Sequence, residues 1–168
     1  PLPDNFAVSE GRLKSLKGRL VSKGILNDYD KIFKDYEQNG IIEQVPADEV
    51  AGEVGQVHYL PHRPVIREDK ETTKIRAVFD ASCKVNGPSL NECLYSGPNL
   101  LAKIFDILIR FRLNRIAILA DIKQAFLNIA ISSEHRNYLH FLWFDVESGE
   151  MRVYKFLRLV FGLTSSPS

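Results

Sequence analysis

The sequence is organised around residues 119–126 (LADIKQAF), and a second stretch, 161–167 (FGLTSSP), begins 35 positions after Phe126. The preceding residues, 115–120 (RIAILA), are mostly aliphatic, which is typical of a strand buried on both faces. Asp121 lies where this strand would end, so we expect its carboxylate to be rigidly placed and partly desolvated. Such a carboxylate can bind a hard cation through oxygen, although acidic residues after strands also occur in turns and helix caps.

The second stretch places a glycine and a proline around small hydroxyl side chains. Few side chains shield this backbone, so it can approach another molecule closely. Together, Asp-Ile-Lys-x-Ala-Phe and Phe-Gly-Leu-Thr-Ser-Ser-Pro resemble the first and second palm motifs of a reverse transcriptase. Upstream, residues 59–67 (YLPHRPVIR) and 72–82 (TTKIRAVFDAS) resemble the fingers of the BEL/Pao group of LTR retroelements.

The resemblance extends from about Tyr59 to the last residue, and the motifs keep the order and spacing of that family. It implies an α+β chain: a fragment of the right-hand polymerase fold, with fingers, an incomplete palm and an N-terminal helical segment. The implied parts are a helical lead-in (1–45), fingers (46–98), palm with the first catalytic motif (99–128), a fingers hairpin (129–160) and the start of the second palm motif (161–168).

Hydrophobic spacing predicts two helices in the first forty residues. Ser9 can cap the first helix, in which leucines recur every three or four positions, and Asn27 can cap the second. Asn39-Gly40 is a typical helix end. A short strand is predicted at 41–45.

Further along the chain, two hairpins are predicted, 57–67 with 74–82 and 138–146 with 151–159, because strand-forming residues flank polar turns. A helix over 100–112 carries a broad apolar face, and we expect it to lie under the sheet that carries Asp121. Alternation predicts one more strand over 128–132, and a short helical turn follows it at 133–136.

Composition is less informative. A formal net charge of +1 does not by itself indicate a nucleic-acid-binding domain. Two cysteines, Cys83 and Cys93, are too few for a zinc site or a disulfide scaffold, and the four histidines are expected to be surface or hydrogen-bonded core residues. No long apolar run or signal peptide is present, so we expect no membrane partner and an intracellular location.

The resemblance assigns roles to the first motif. Asp121 would be the catalytic carboxylate and a metal ligand, and the carbonyl of Ile122 an additional ligand. The amides of Gln124 and Ala125 would reach the triphosphate. Phe126 would pack under the sugar and reject a ribose 2′ hydroxyl; without the resemblance, the residues alone favour a core phenylalanine.

The resemblance also assigns roles to the fingers and the second motif. Arg76 and, less directly, Lys74 would hold the phosphates of the incoming nucleotide, whereas the residues alone favour an exposed β-ribbon with ordinary surface charges. Phe161 would face the sugar and base of the nucleotide. The implied contacts with the template strand come from Gly162, Ser166 and Pro167.

Nucleotide addition of this kind uses two Mg²⁺ (or Mn²⁺) ions about 4 Å apart, bridged by carboxylates. The implied substrates are an RNA or DNA template with its primer and deoxynucleoside triphosphates. The implied partners are the remaining palm, the thumb, ribonuclease H and integrase of a polyprotein, in the cytoplasm or within virus-like particles.

The third palm motif of the family, a Tyr-x-Asp-Asp turn, is absent from the sequence, which starts at Pro1 and stops inside the second motif. We therefore expect a fragment without polymerase activity of its own. Two alternatives remain open: a decayed, non-catalytic remnant that still binds nucleic acid, and an interaction module that does not bind it.

Overall fold

The computed structural model describes residues 2–47, 49–50, 56–67, 75–95, 97–98, 101–113 and 115–164. These residues form a mixed α+β fold with two small antiparallel sheets. One contains the strands Ile42–Gln44, Met151–Phe156 and His140–Phe144 in that order, and the other contains His62–Ile66 and Ile75–Phe79. The elements are α1 (Phe6–Ser22), α2 (Leu26–Gln38), β1 (Ile42–Gln44), β2 (His62–Ile66), β3 (Ile75–Phe79), α3 (Leu90–Cys93), α4 (Ile104–Phe111), two 3₁₀ segments (Ala125–Asn128 and Ser133–Leu139), β4 (His140–Phe144) and β5 (Met151–Phe156).

Both N-terminal helices are present, but each begins before its predicted cap. Ser9 lies inside α1, where its hydroxyl donates to the carbonyl of Tyr59 (3.3 Å). Asn5 precedes α1, and its side chain bonds both backbone groups of Tyr59, at 2.6 and 2.9 Å, instead of capping the helix. Asn27 likewise lies inside α2. Both predicted caps were therefore wrong. At α1 the reason is that the polar side chains near the helix start bond the segment at Tyr59.

The predicted end of α2 is confirmed. Gly40 adopts a left-handed φ of 62°, and the amide of Ile41 donates to the carbonyl of Tyr36 at 2.9 Å. This six-residue closure satisfies a terminal carbonyl that the helix leaves free. It also turns the chain directly into β1.

The core centres on aromatic side chains of α2, β3 and β4. Trp143 is buried, and its indole donates to the carboxylate of Asp30 (2.8 Å), which also pairs with Lys34 (2.8 Å). The ring of Phe33 packs against it, with the two ring centroids 4.9 Å apart. These contacts connect α2 to both sheets, with further core rings from Tyr29, Phe79, Phe141 and Phe156.

His62 confirms the expectation of a hydrogen-bonded core histidine. Its Nε2 donates to the carbonyl of Leu142 (2.9 Å), so its Nδ1 accepts from the hydroxyl of Tyr29 (2.9 Å). His140 does not fit that expectation, because it is buried and neither ring nitrogen has a hydrogen-bond partner among the described residues. Burial lowers the pKa of each histidine from 6.5 to about 4.

Because the pKa of both His62 and His140 is lowered, we expect acid to destabilise the fold. In the unfolded chain both histidines become protonated below about pH 6.5, whereas in the folded chain they stay neutral down to about pH 4. Their contribution to the free energy of unfolding is therefore fully present above pH 6.5 and is lost as the pH falls from 6.5 to 4. Each shift corresponds to about 3 kcal/mol at its limit. We expect the urea midpoint to be nearly constant above about pH 7 and to fall steadily from about pH 6.5 to about pH 5. Replacement of His140 by leucine should reduce this slope and replacement of the exposed His135 by glutamine should not; a midpoint independent of pH would contradict the prediction.

Both predicted hairpins are confirmed. Val65 pairs with Arg76 in β2–β3, and Leu142 pairs with Val153 in β4–β5. The predicted strand at 41–45 is present as β1, and the helical turn predicted at 133–136 is present within a longer 3₁₀ segment. The predicted strand over 128–132 is wrong: only an isolated bridge from Ala130 to Arg158 forms there.

Residues 101–113 and 115–122 depart most from the predicted structure. Helix α4 forms, but its apolar side chains are exposed, and 115–120 forms no strand, with Leu119 87% exposed. The prediction of a buried strand over a buried helix was therefore wrong. Apolar composition indicates that a segment can be buried but does not supply the covering surface, and no described strand offers hydrogen-bond partners to 115–120. Among the described residues, no helix is both long and apolar enough to cross a membrane.

Candidate functional site

The two motifs meet through a pair of phenylalanines. The rings of Phe126 and Phe161 are perpendicular, with centroids 4.6 Å apart, a favourable edge-to-face geometry. Phe126 is half-buried, while Phe161 is 53% exposed. The structure thus brings together two predicted nucleotide-contacting residues on one partly exposed aromatic surface.

Local backbone geometry positions Phe126. Gln124 has a left-handed conformation (φ 54°, ψ 44°), which is uncommon for a residue other than glycine and costs on the order of 1 kcal/mol or more. The reversal starts the 3₁₀ segment, and the amide of Leu127 donates back to the carbonyl of Gln124 (2.9 Å). Leu127 is buried, and Asn128 donates to the carbonyls of Lys123 and Gln124. The buried leucine and these bonds hold Ala125 and Phe126 at the surface.

Asn91 secures the second motif, and sequence reasoning missed it. Its side-chain amide group donates to the carbonyl of Gly162 (2.9 Å), and its side-chain oxygen accepts from the backbone amide of Thr164 (2.8 Å). The same amide group also donates to the hydroxyl of Ser82 (3.0 Å). Asn91 lies in α3, whose capping box was readable as Ser-x-x-Glu at 89–92, but nothing local in sequence indicates a partner 71 positions away.

Gly162 is required by both backbone conformation and space. Its φ is 106°, and a Cβ built there would lie 2.7 Å from the carbonyl oxygen of Phe79. The close approach of 161–164 to β3 therefore depends on the absence of a side chain. This agrees with the sequence argument that the stretch allows close approach, although the observed neighbour is the protein's own backbone.

Replacement of Gly162 by alanine is therefore expected to destabilise the fold by roughly 2–3 kcal/mol, because a disfavoured φ and a backbone clash add. Urea unfolding measures this loss. The matched control is Gly24→Ala, which also has a positive φ (65°) but open space around its Cβ, so it should cost only about 1 kcal/mol. Equal losses for the two variants would show that the contact with Phe79 has no effect.

Asp121 and Ile122 lie apart from these contacts. Both are exposed, and Asp121 forms no hydrogen bond or ion pair with another described residue. The expected desolvation of the carboxylate is therefore wrong for this structure, because the strand that would bury it does not form. No group of three or more His, Cys, Asp or Glu side chains suited to a metal is present in the described ranges. One carboxylate and one carbonyl are oxygen donors of the right kind for Mg²⁺, but they do not complete a two-ion site.

Arg76 is exposed on β3, opposite Val65. Burial raises the pKa of Tyr36 on α2, and the positive charge of Arg76 opposes this shift. No hydrogen bond or ion pair connects Arg76 with Asp121 in the part of the chain that the structure covers. Three other predicted site residues, Lys74, Ser166 and Pro167, lie outside the described residues.

Comparisons with models of known protein families and with curated proteins found no match to this chain.

Proposed function

We propose that the chain is part of an RNA-directed DNA polymerase, the reverse transcriptase of a BEL/Pao-type LTR retroelement, and comprises fingers and an incomplete palm. The contact between Phe126 and Phe161 carries the proposal most directly. The resemblance assigns both rings to one nucleotide, and two residues far apart in sequence share one surface in the structure. A partly exposed aromatic pair is suited to contact a sugar and base.

The left-handed Gln124 adds support. It leaves Gln124 exposed and Ala125 half-buried beside this pair, where their amides are expected to meet phosphate oxygens. Backbone strain of this kind concentrates at functional sites. In this proposal the incoming deoxynucleotide places its sugar on Phe126 and its triphosphate toward Arg76 and Lys74.

The described residues supply only one of the carboxylates that nucleotidyl transfer on two ions requires, so we assign no chemical step to residues 1–168 alone. The proposal instead places the reaction in a protein that also carries the Tyr-x-Asp-Asp motif. Its substrates are a primed template and deoxynucleoside triphosphates, and its setting is the cytoplasm or a virus-like particle.

A non-catalytic remnant that binds nucleic acid is the second candidate. The observation that favours it is the exposed Asp121, which has no hydrogen-bond, ion-pair or metal-binding partner among the described residues. Primer extension by the longer protein separates the candidates, because a remnant would bind the primed template without adding nucleotides.

Phe126→Ala tests the proposed sugar contact. In the longer protein, removal of the ring should admit ribonucleotides and lower the preference for deoxynucleotides by about tenfold or more, since the loss of one steric contact changes discrimination by 1–3 kcal/mol. The measurement is kcat/KM for matched deoxy- and ribonucleotides. Phe144→Ala, a buried ring in β4, is the control: it should reduce stability and leave sugar preference unchanged. Unchanged preference in Phe126→Ala would mean that Phe126 only supports Phe161.

A further inference from the structure

Residues 104–122 carry a large apolar surface that the rest of the described chain does not cover. No residue of α4 is buried, and Ile118 and Leu119 are 86% and 87% exposed. Eleven large apolar side chains of this stretch are exposed, and together they present on the order of 1,000 Å² to solvent. A soluble monomer ordinarily exposes an apolar patch of only about 300–600 Å², so this surface is large enough to be an interface with another protein.

The backbone of residues 115–121, which we call the pairing segment, is open as well. Residues 116–121 lie in no helix, strand, turn or bend, and none of them has a positive φ. No backbone hydrogen bond joins the pairing segment to another described residue. An apolar segment whose amides and carbonyls have no partner is suited to form a strand against the edge of another molecule.

The charges at the two ends of the pairing segment indicate which edge fits. Its sequence is RIAILAD, with Arg115 at one end and Asp121 at the other, and neither forms an ion pair with another described residue. Because the two residues are six positions apart, they lie on the same face of a strand. Antiparallel pairing of two copies around Ile118 places each arginine opposite the aspartate of the other copy. Parallel pairing in register places like charges opposite each other, which is unfavourable.

We propose that two copies of this chain associate through antiparallel pairing of their residues 115–121 across a two-fold axis at Ile118. In this register Ile116 lies opposite Ala120, and Ile118 lies opposite the Ile118 of the second copy. Two strands alone are marginally stable in water, and the exposed apolar side chains of the two α4 helices supply the cover that the strands need. The apolar surface of each copy exceeds the roughly 800 Å² per partner of a standard interface. Since the two-fold contact is closed, assembly stops at the dimer.

This pairing is separate from the proposed polymerase activity and excludes it locally. In the dimer, Asp121 faces a guanidinium group of the second copy, so its carboxylate is not free to bind a cation. Self-association of residues 1–168 and cation binding at Asp121 are therefore alternative states of the same segment.

Sedimentation equilibrium of residues 1–168 over about 1–100 µM measures the association. The unaltered chain should show a monomer–dimer equilibrium. Ile118→Lys places two like charges directly opposite each other at the two-fold axis and should weaken dimerisation at least about tenfold. The matched control is Val21→Lys, at a 57% exposed position of α1 outside this surface, and it should keep the dissociation constant within about twofold of the unaltered value.

Reversal of the end charges tests the antiparallel register. Arg115→Glu and Asp121→Arg should each weaken dimerisation several-fold, because each places like charges opposite each other. The double variant restores opposite charges across the two-fold axis and should recover dimerisation to within about threefold of the unaltered chain. Circular dichroism confirms that each variant is folded, and both positions are exposed.

Cross-linking provides an independent readout of the same register. The background is Cys93→Ser, which removes the exposed cysteine and leaves only the buried Cys83. In it, Ile118→Cys should form a disulfide-linked dimer, because the two residues lie opposite each other. Ile116→Cys is the matched control: its two copies lie four residues apart along the paired strands, about 13 Å, which is too far for a disulfide.

Four results would overturn the proposal: a monomeric unaltered chain at about 100 µM, assemblies larger than a dimer, full dimerisation of Ile118→Lys, or equal cross-linking through positions 116 and 118. A double charge variant as weak as the single variants would also contradict the antiparallel register. Because the measurements need no nucleotide and no template, their failure leaves the polymerase proposal to be judged by extension.

Discussion

Asp121→Asn is expected to reduce primer extension at least about a thousandfold in a protein that carries residues 1–168 together with the third palm motif, a loss of roughly 4 kcal/mol in transition-state stabilisation. The proposal assigns this carboxylate the role of a cation ligand. Asparagine keeps the size of the side chain and removes its negative charge. Asp121 is exposed and has no hydrogen-bond or ion-pair partner among the described residues, so the substitution removes no such contact with them.

Duplex binding and the urea midpoint should therefore stay within error of the unaltered protein. Asp106→Asn, an exposed carboxylate in α4 outside both motifs, is the matched control and should retain extension. Extension that survives Asp121→Asn would remove the catalytic role from this residue.

Trp143→Ala is expected to cost about 3–5 kcal/mol, enough to unfold much of the chain at ambient temperature. The substitution leaves a cavity beside Phe33 and Tyr29. It also removes the indole donor to Oδ1 of Asp30, while Lys34 pairs with Oδ2. The buried Oδ1 then lacks this hydrogen bond, which lowers the free energy of unfolding further.

Circular dichroism in urea is the appropriate measurement, since Trp143 is the only tryptophan and fluorescence would disappear with it. Tyr95→Ala, at an 86% exposed aromatic, should change stability by less than about 0.5 kcal/mol. A loss below 1 kcal/mol for Trp143→Ala would mean that β4 does not form the centre of the core.

Local patterns predicted the parts of the fold that depend on local interactions. Leu13, Leu16 and Leu20 repeat at helical spacing, and all three are buried in α1. Polar turns between runs of strand formers predicted β2–β3 and β4–β5 in antiparallel register. Gly40 ends α2 in a left-handed conformation, which glycine adopts readily because it has no Cβ.

The predictions that were wrong depend on contacts between residues that lie far apart in the sequence. Asn5 bonds Tyr59 across 54 positions, and Asn91 bonds Gly162 across 71; sequence neighbours contain no information about either partner. Residues 115–120 are apolar enough for a buried strand, but a strand also needs a partner edge that composition cannot specify. For the same reason the burial expected for Asp121 was wrong.

The open groove between α1 and β2 could not be predicted from the sequence either. Arg19 and Arg63 have no common motif, and only the packing of α1 beside β2 brings them to one groove. The proximity of Phe126 and Phe161, whose ring centroids lie 4.6 Å apart, was easier to expect from the sequence, because the resemblance assigns both residues to one nucleotide. Their roles in nucleotide binding remain predictions.

Primer extension on an RNA template is the decisive measurement for the polymerase proposal. The protein to use comprises residues 1–168 continued through a Tyr-x-Asp-Asp motif, with a DNA primer, deoxynucleotides and Mg²⁺. We predict template-directed extension that requires the added motif and is absent from residues 1–168 alone. Binding of the primed template without extension by the folded longer protein would contradict the polymerase assignment and favour a non-catalytic remnant.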